Sequence, residues 1–271
     1  MNKKSATGAA AKEREKAGDI AVLEAPAPKR AGRRPKGASE DGKGGINREA
    51  IVARAVEIAK GESETEITIV RLSRELGVTT ALIHYFVGSR DDLLTAVFNA
   101  ALKERTSAFP PLTGDWRHDA EKLIRQSHES QLRWRGMTTY AATHNRHRLF
   151  QRVKPGETDY GLVFFDRLGQ IFQEGGFTSE QAAMGYHLLM LFSLSVANAH
   201  VNRQQPVEHQ EWLMDHFSQF DAADYPGASH VMPAFSQVDT KSTFDAGLAV
   251  LLDGFESWLA KPRTSTRKKS R

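Results

Sequence analysis

The chain has 271 residues, of which 40% are hydrophobic and 26% are charged, a composition typical of a soluble globular protein with one or two domains. It contains no cysteine, which excludes disulfides, zinc-thiolate sites and cysteine nucleophiles. No apolar run reaches the ~20 residues of a membrane helix and no signal-peptide core is visible, so we expect a cytoplasmic protein with no membrane partner.

The net charge of +4 is concentrated at the two ends of the chain. Residues 1–45 carry +5 and residues 261–271 carry +6, so the stretch between them carries −7. Both ends have few bulky apolar residues, and we expect them to be disordered. Basic tails either add non-specific affinity for a polyanion or only keep a protein soluble, and charge alone leaves both interpretations open.

Between the tails, apolar residues recur with helical spacing, which predicts an all-α fold. Residues 46–106 are expected to form an N-terminal three-helix domain with a helix-turn-helix, from which a fourth helix leads away. Polar caps and a glycine stop mark the helix ends, because these residues satisfy free backbone groups or adopt a left-handed conformation cheaply. The end-marking residues are Asn47, Thr68, Gly77, Thr79 and Ser89.

The second and third helices, joined by Gly77-Val78-Thr79, have the layout of a helix-turn-helix. In such a motif the second of the two helices enters the major groove of DNA. The same spacing also fits two short helices that only pack together, so the layout alone leaves DNA binding open. The residues that we expect at the bases or phosphates are Thr79, Thr80, Leu82, His84 and Tyr85, with Leu82 touching a thymine methyl.

The stretch from Ile67 to Leu94, ITIVRLSRELGVTTALIHYFVGSRDDLL, resembles the DNA-binding domain of the TetR-type (tetracycline-repressor) family of bacterial regulators. The resemblance implies DNA contacts from Arg48, Thr68 and Arg90, the last of which replaces a family lysine that meets phosphate. Upstream, a Gly-Arg-Arg-Pro segment is similar to the family's arms, which implies that Arg33 and Arg34 enter the minor groove. A solvated tail is the alternative for these two residues.

Residues 107–260 are expected to form a larger helical domain, with helices at 115–135, 137–150, 157–174, 179–203, 207–219 and 242–260 and a loop at 225–238. The resemblance implies an effector pocket and a four-helix dimer interface there. Packing within the chain's own core is the alternative in both cases. The expected pocket residues are Trp134, Tyr140, His144, Phe164 and His187. The expected interface residues are Leu189, Phe192, Val196, Leu248, Leu252 and Phe255.

These patterns predict a dimeric repressor that a small-molecule effector releases from a double-stranded DNA operator, within the cytoplasm at the nucleoid. We expect no cofactor and no metal site, since none of the ten histidines follows a glutamate by three residues. One alternative is a helical enzyme or binding protein for a small apolar ligand with a vestigial helix-turn-helix. The other is a DNA-coating protein that relies on its tails.

Overall fold

The computed structural model describes residues 46–143 and 152–260, all of which belong to one compact unit, Gly37–Arg271. These residues form α-helices and two short 3-10 turns, with no strand among them, which confirms the all-α prediction. The helices are α1 (Arg48–Gly61), α2 (Ile69–Glu75), α3 (Thr80–Val87), α4 (Arg90–Ser107), α5 (Trp116–Arg133), α6 (Arg135–Thr143), α7 (Tyr160–Glu174), α8 (Ser179–Val201), α9 (Gln210–Phe217), α10 (Pro226–Phe235) and α11 (Thr240–Ala260).

The predicted helix caps of the N-terminal part are confirmed. The Thr68 hydroxyl accepts a hydrogen bond from the Arg71 amide at 3.1 Å and so starts α2. Gly77 follows α2 with a φ of 66°, a left-handed conformation that costs glycine little. Ser89 and Asp92 cap each other's backbone amides at the start of α4, which is the reciprocal capping box.

A first hydrophobic core lies between α1, α2, α3 and α4. Leu72, Ile83 and Leu93 are completely buried in it. The helix α6 joins this core through Met137 and Tyr140, although it comes from the second predicted domain. The boundary that we placed between residues 106 and 107 therefore stays a prediction.

The two parts of the chain approach each other closely where α6 begins. A Cβ atom added at Gly136 would lie 2.5 Å from the carbonyl oxygen of Glu62, which directly follows α1. No side chain fits at that distance, so only glycine allows α6 to come this close to the backbone beside α1.

A second core is built around α8, which packs against α5, α6, α7 and α11. By length and composition alone, the stretch Ser179–Phe217 is apolar enough to cross a membrane. In the fold its first part, α8, buries Leu189 and Ala197 completely, and the stretch turns at Arg203, whose φ is 55°. The inner face of α8 is therefore that of a core helix.

The loop predicted at 225–238 is wrong, because residues 226–235 form α10. Pro226 occupies the first helical turn, where proline is favoured and no amide hydrogen is needed. Neither α9 nor α10 has a buried side chain. Trp212 on α9 and Tyr225, which directly precedes α10, are both more than half exposed.

Candidate DNA interface and effector pocket

The helix-turn-helix is fixed to α1 by a network of charged side chains. Arg71 on α2 donates to both carboxylate oxygens of Glu62 and to one of Glu75, each at 2.7 Å. Arg54 on α1 also donates to Glu75 at 2.7 Å. The hydrogen bonds from Arg71 hold the pKa of the Glu62 and Glu75 carboxyls below their usual range. The carboxylates of Glu62 and Glu75 are therefore neutralised within the domain.

The outer face of α3 is polar, exposed and free of acidic groups. Thr79, Thr80, His84 and Tyr85 are all exposed, and 56% of Tyr85 is accessible. The Thr79 hydroxyl accepts the Leu82 amide at 3.2 Å, which leaves its own hydrogen to donate. Residues 76–90 contain no Asp or Glu, so this face does not repel phosphate.

His84 is oriented by its own helix end. Its Nδ1 lies 2.7 Å from the Gly88 carbonyl oxygen, and since a carbonyl only accepts, Nδ1 is the donor. The ring's Nε2 is the atom left for a ligand.

The contact predicted for Leu82 is wrong. Its side chain is only 8% exposed, because Leu82 and Ile83 occupy the inner face of α3. Ala81 lies one helical turn before Tyr85 and is exposed, so its methyl group stands where the Leu82 side chain was expected. Alanine is also suited to apolar contact with a thymine methyl.

The two arginines expected at phosphate already have partners within the chain. Arg90 donates through Nε to the Ile67 carbonyl at 2.9 Å and through Nη2 to the Glu64 carbonyl at 2.7 Å. Arg48 forms an ion pair with Glu157 at 2.9 Å. Arg90 therefore ties α4 to the start of α2, and phosphate contact by its remaining N–H groups stays a prediction. A phosphate contact by Arg48 would require it to leave Glu157.

Three other predicted DNA contacts are Thr68, Arg33 and Arg34. Thr68 is half-buried and occupied as the cap of α2. Arg33 and Arg34 lie outside the described residues, as do both basic ends, 1–45 and 261–271.

A cavity of about 240 Å³ lies between α4, α6, α7 and α8. Most of its wall is apolar, which is typical of a small-molecule site. Three predicted pocket residues, Trp134, Phe164 and His187, line it. The apolar lining from α4 and α8 includes Phe98, Leu102, Met190, Leu191 and Leu194.

Tyr140 does not line this cavity, so its predicted place is wrong. It is 1% exposed in the first core, and its hydroxyl lies 3.4 Å from Oδ1 of Asp91 on α4. The ring turns toward α1 and α4 because α6 presents that face to the first core. His144 lies outside the described residues.

Sequence reasoning missed two polar residues of the cavity, Arg105 and Gln131. A usable signal existed for Arg105. It follows Phe98 and Ala101 at helical spacing, which places a charged residue on the apolar face of α4.

The predicted dimer residues belong to the chain's own core. Leu189, Leu248, Leu252 and Phe255 are at most 1% exposed, and Val196 is 7% exposed. The half-buried Phe192 stacks on Phe244 with ring centroids 5.8 Å apart. The five buried side chains fill the space between α8 and its neighbours and leave little surface for a second chain. A dimer contact by the half-buried Phe192 stays a prediction.

The outer surfaces of α8 and α11 carry other apolar residues that sequence reasoning missed. Met184 and Leu191 on α8 are 51% and 55% exposed, and Val250 on α11 is 69% exposed. On α11, Val250 lies in a row of small residues at helical spacing, which permits close approach of another helix. The row consists of Thr243, Gly247, Val250, Gly254 and Ser257, of which Gly247 is covered by the Phe192 ring of α8 and Gly254 is open. We call these two surfaces the outer α8–α11 face.

Comparison with known proteins places this arrangement in a family. The family model of the tetracyclin repressor-like C-terminal domain matches residues 110–259, more than half of the chain. An HTH-type transcriptional repressor of Mycobacterium tuberculosis and an uncharacterized HTH-type transcriptional regulator of Mycobacterium bovis are each 36% identical to it over 76 residues. The match covers 28% of this chain and 29% of the length of those relatives.

Solved structures share the fold. ActR from Streptomyces coelicolor, free of ligand, is 24% identical and superimposes with a TM-score of 0.67, covering 80% of this chain and 99% of ActR. A possible TetR family regulator from Streptomyces coelicolor is 21% identical, with a TM-score of 0.63 and coverage of 78% and 100%. At these identities the likeness shows the fold. Together with the family match, it shows that this chain belongs to the tetracycline-repressor family of transcriptional regulators.

Proposed function

We propose that the protein is a dimeric transcriptional repressor that leaves its operator when an effector fills the cavity beside α8. The observation that carries this proposal is the course of α4. This single helix begins at Arg90, separated from the end of α3 by two residues, and its second half supplies Phe98, Leu102 and Arg105 to the cavity wall. A ligand that displaces these side chains therefore also moves the end of α4 that carries α3.

Two further contacts support coupling between the cavity and the DNA-binding helices. On one side, Gly136 brings α6 against the backbone beside Glu62, while the adjoining Trp134 and Met137 line the cavity. On the other side, the Asn99 side chain of α4 donates to the Thr158 carbonyl at 2.9 Å and accepts the Tyr160 amide at 3.0 Å. The start of α7 is thereby attached to α4.

Release requires that the effector prefers the conformation that does not fit DNA, because a ligand with equal affinity for both conformations shifts nothing. ActR has been solved in complex with actinorhodin, so a chain of this fold holds a small molecule. A relative in Mycobacterium tuberculosis carries the name of a repressor. Both findings support an effector-controlled repressor, acting on DNA in the cytoplasm.

In this proposal the protein binds DNA as a dimer of two copies of the chain. The outer α8–α11 face supplies an apolar surface on two long helices, and pairing it with its own copy gives a two-fold dimer. Two copies of α3 then face successive major grooves, about 34 Å apart.

The test is selection of binding sites from random duplex DNA by the full chain at ~150 mM salt, because weak phosphate contacts are screened there. We expect a palindrome whose half-sites are about one helical turn apart. Tyr85→Ala should weaken binding to the selected site by roughly tenfold or more, about 1.4 kcal/mol. Tyr225→Ala removes a similarly exposed tyrosine that directly precedes α10, and it should change nothing. Recovery of no motif, or equal losses in both variants, contradicts the proposal.

A further inference from the structure

The cavity beside α8 contains a buried positive charge without a partner. Arg105 is 8% exposed, and its Nε is buried without a hydrogen-bond acceptor. Its guanidinium carbon lies 5.7 Å from the centre of the Phe164 ring, and this cation–π contact is the attractive interaction that the structure gives it. Within the described part of the chain, Arg105 forms no ion pair with a carboxylate.

This arrangement is costly for the empty protein. Burial lowers the pKa of Arg105 to about 10, so the group remains charged at neutral pH. A buried ion that gives up its water without gaining a counter-ion destabilises a fold.

A second unsatisfied group faces the same cavity. The hydroxyl of Tyr186 on α8 is buried without a hydrogen-bond partner, and Tyr186 is also 8% exposed. Burial raises the pKa of this hydroxyl, so it keeps its proton and remains a donor. The cavity thus presents two donors without acceptors, the Arg105 guanidinium and the Tyr186 hydroxyl. Its other polar lining residues are Gln131 and Thr138, which bond within the chain, and the exposed His187.

From this pairing we infer that the effector is an apolar molecule with a single carboxylate, held by Arg105 and Tyr186. A carboxylate matches the planar guanidinium geometry and accepts hydrogen bonds from both groups. One unpaired arginine balances one negative charge, so a dianion would retain a charge without a partner. The hydrocarbon part would contact Phe98, Leu102 and Met190. The assignment of this molecule as an effector rests on the proposed function.

The test compares acids with their uncharged primary amides in binding to the full chain without DNA. The probes are phenylacetate, naphthylacetate and decanoate, measured by calorimetric titration. We expect at least one acid to bind at least tenfold more tightly than its amide. Arg105→Met should abolish this preference and Tyr186→Phe should reduce it several-fold. Arg203→Met removes an exposed cation outside the cavity and should leave the preference unchanged.

Thermal unfolding of empty Arg105→Met shows whether the variant folds, and we expect a melting temperature equal to or above that of the parent. The inference is overturned if no acid binds, if acid and amide bind equally, or if the preference survives in Arg105→Met. Operator binding is measured separately. Arg105-dependent acid binding by a chain that selects no operator would refute the proposed function and leave the carboxylate site standing. A chain that binds an operator but shows no preference for acids over amides would refute the carboxylate site and leave the proposed function standing.

Discussion

At the residue scale, His128 on α5 shows how burial sets a protonation state. Its ring is 6% exposed and stacks on Phe244 with centroids 3.9 Å apart. Burial lowers its pKa to about 4, although a bond with the Ser193 backbone and the charge of Asp245 oppose this change. The folded state therefore favours the neutral ring. The resulting stability is complete above the unfolded pKa of about 6.5 and is lost as the pH falls toward 4.

We expect the free energy of unfolding in urea to fall by roughly 2 kcal/mol between pH 7 and pH 4.5 through this residue. His128→Phe keeps the stacking on Phe244 and should flatten this part of the pH profile. His216→Phe, at an exposed position on α9, is the matched control and should retain the slope. A profile that is unchanged in His128→Phe would show that other groups cause the loss.

Local backbone chemistry was the part of the candidate site that the sequence predicted well. The caps at Thr68, Thr79 and Ser89 depend on residues that are neighbours in the sequence, so the local sequence pattern is enough to identify them. The burial of Leu82 and the internal partners of Arg90 depend on where other helices pass. Such contacts are set by tertiary packing, which residue type alone does not reveal.

At the element scale, the helices with a strong apolar period were predicted to within a few residues, as α7 and α11 illustrate. The helix α10 was missed because its prolines and Gly227 are typical of loops, although Pro226 stands where proline starts a helix. The crossing of α6 and α1 was also beyond prediction. It depends on Gly136, and a glycine inside a helix signals a close approach without naming the partner.

The close approach at Gly136 gives a direct prediction. Gly136→Ala places a methyl group 2.5 Å from the Glu62 carbonyl oxygen, and relief of this clash requires α6 to move from α1. We expect a loss of about 1–3 kcal/mol in the free energy of unfolding. Gly169→Ala on α7 meets no atom within 4 Å and should instead stabilise the helix by up to about 1 kcal/mol. Urea unfolding measures both, and equal effects would contradict the proposed close contact.

At the scale of the whole molecule, most of the apolar residues of α8 and α11 that were expected at a dimer interface lie in the chain's own core. Periodicity identifies both helices as amphipathic but does not say which of two apolar faces the chain covers itself. The second core takes Leu189 and Leu248, which leaves Met184 and Val250 uncovered on the outer α8–α11 face. A helix that is apolar on two sides needs two partners, and a second copy of the chain is the partner that we propose.

This dimer is tested by placing charges on the outer face. Met184→Asp together with Val250→Asp should turn the dimer into a monomer at micromolar concentration, because paired copies would bury four carboxylates without counter-ions. Sedimentation velocity measures the mass. Leu162→Asp on α7 alters a leucine that is 53% exposed, comparable to Met184 at 51%, and should leave the dimer intact. If the double variant still sediments as a dimer, or if the parent chain is a monomer, the outer face is not the interface.

A monomer would also contact only one half-site of the operator. The double variant should therefore bind an isolated half-site as tightly as the parent does, but it should lose the added affinity that the parent gains from the full palindrome.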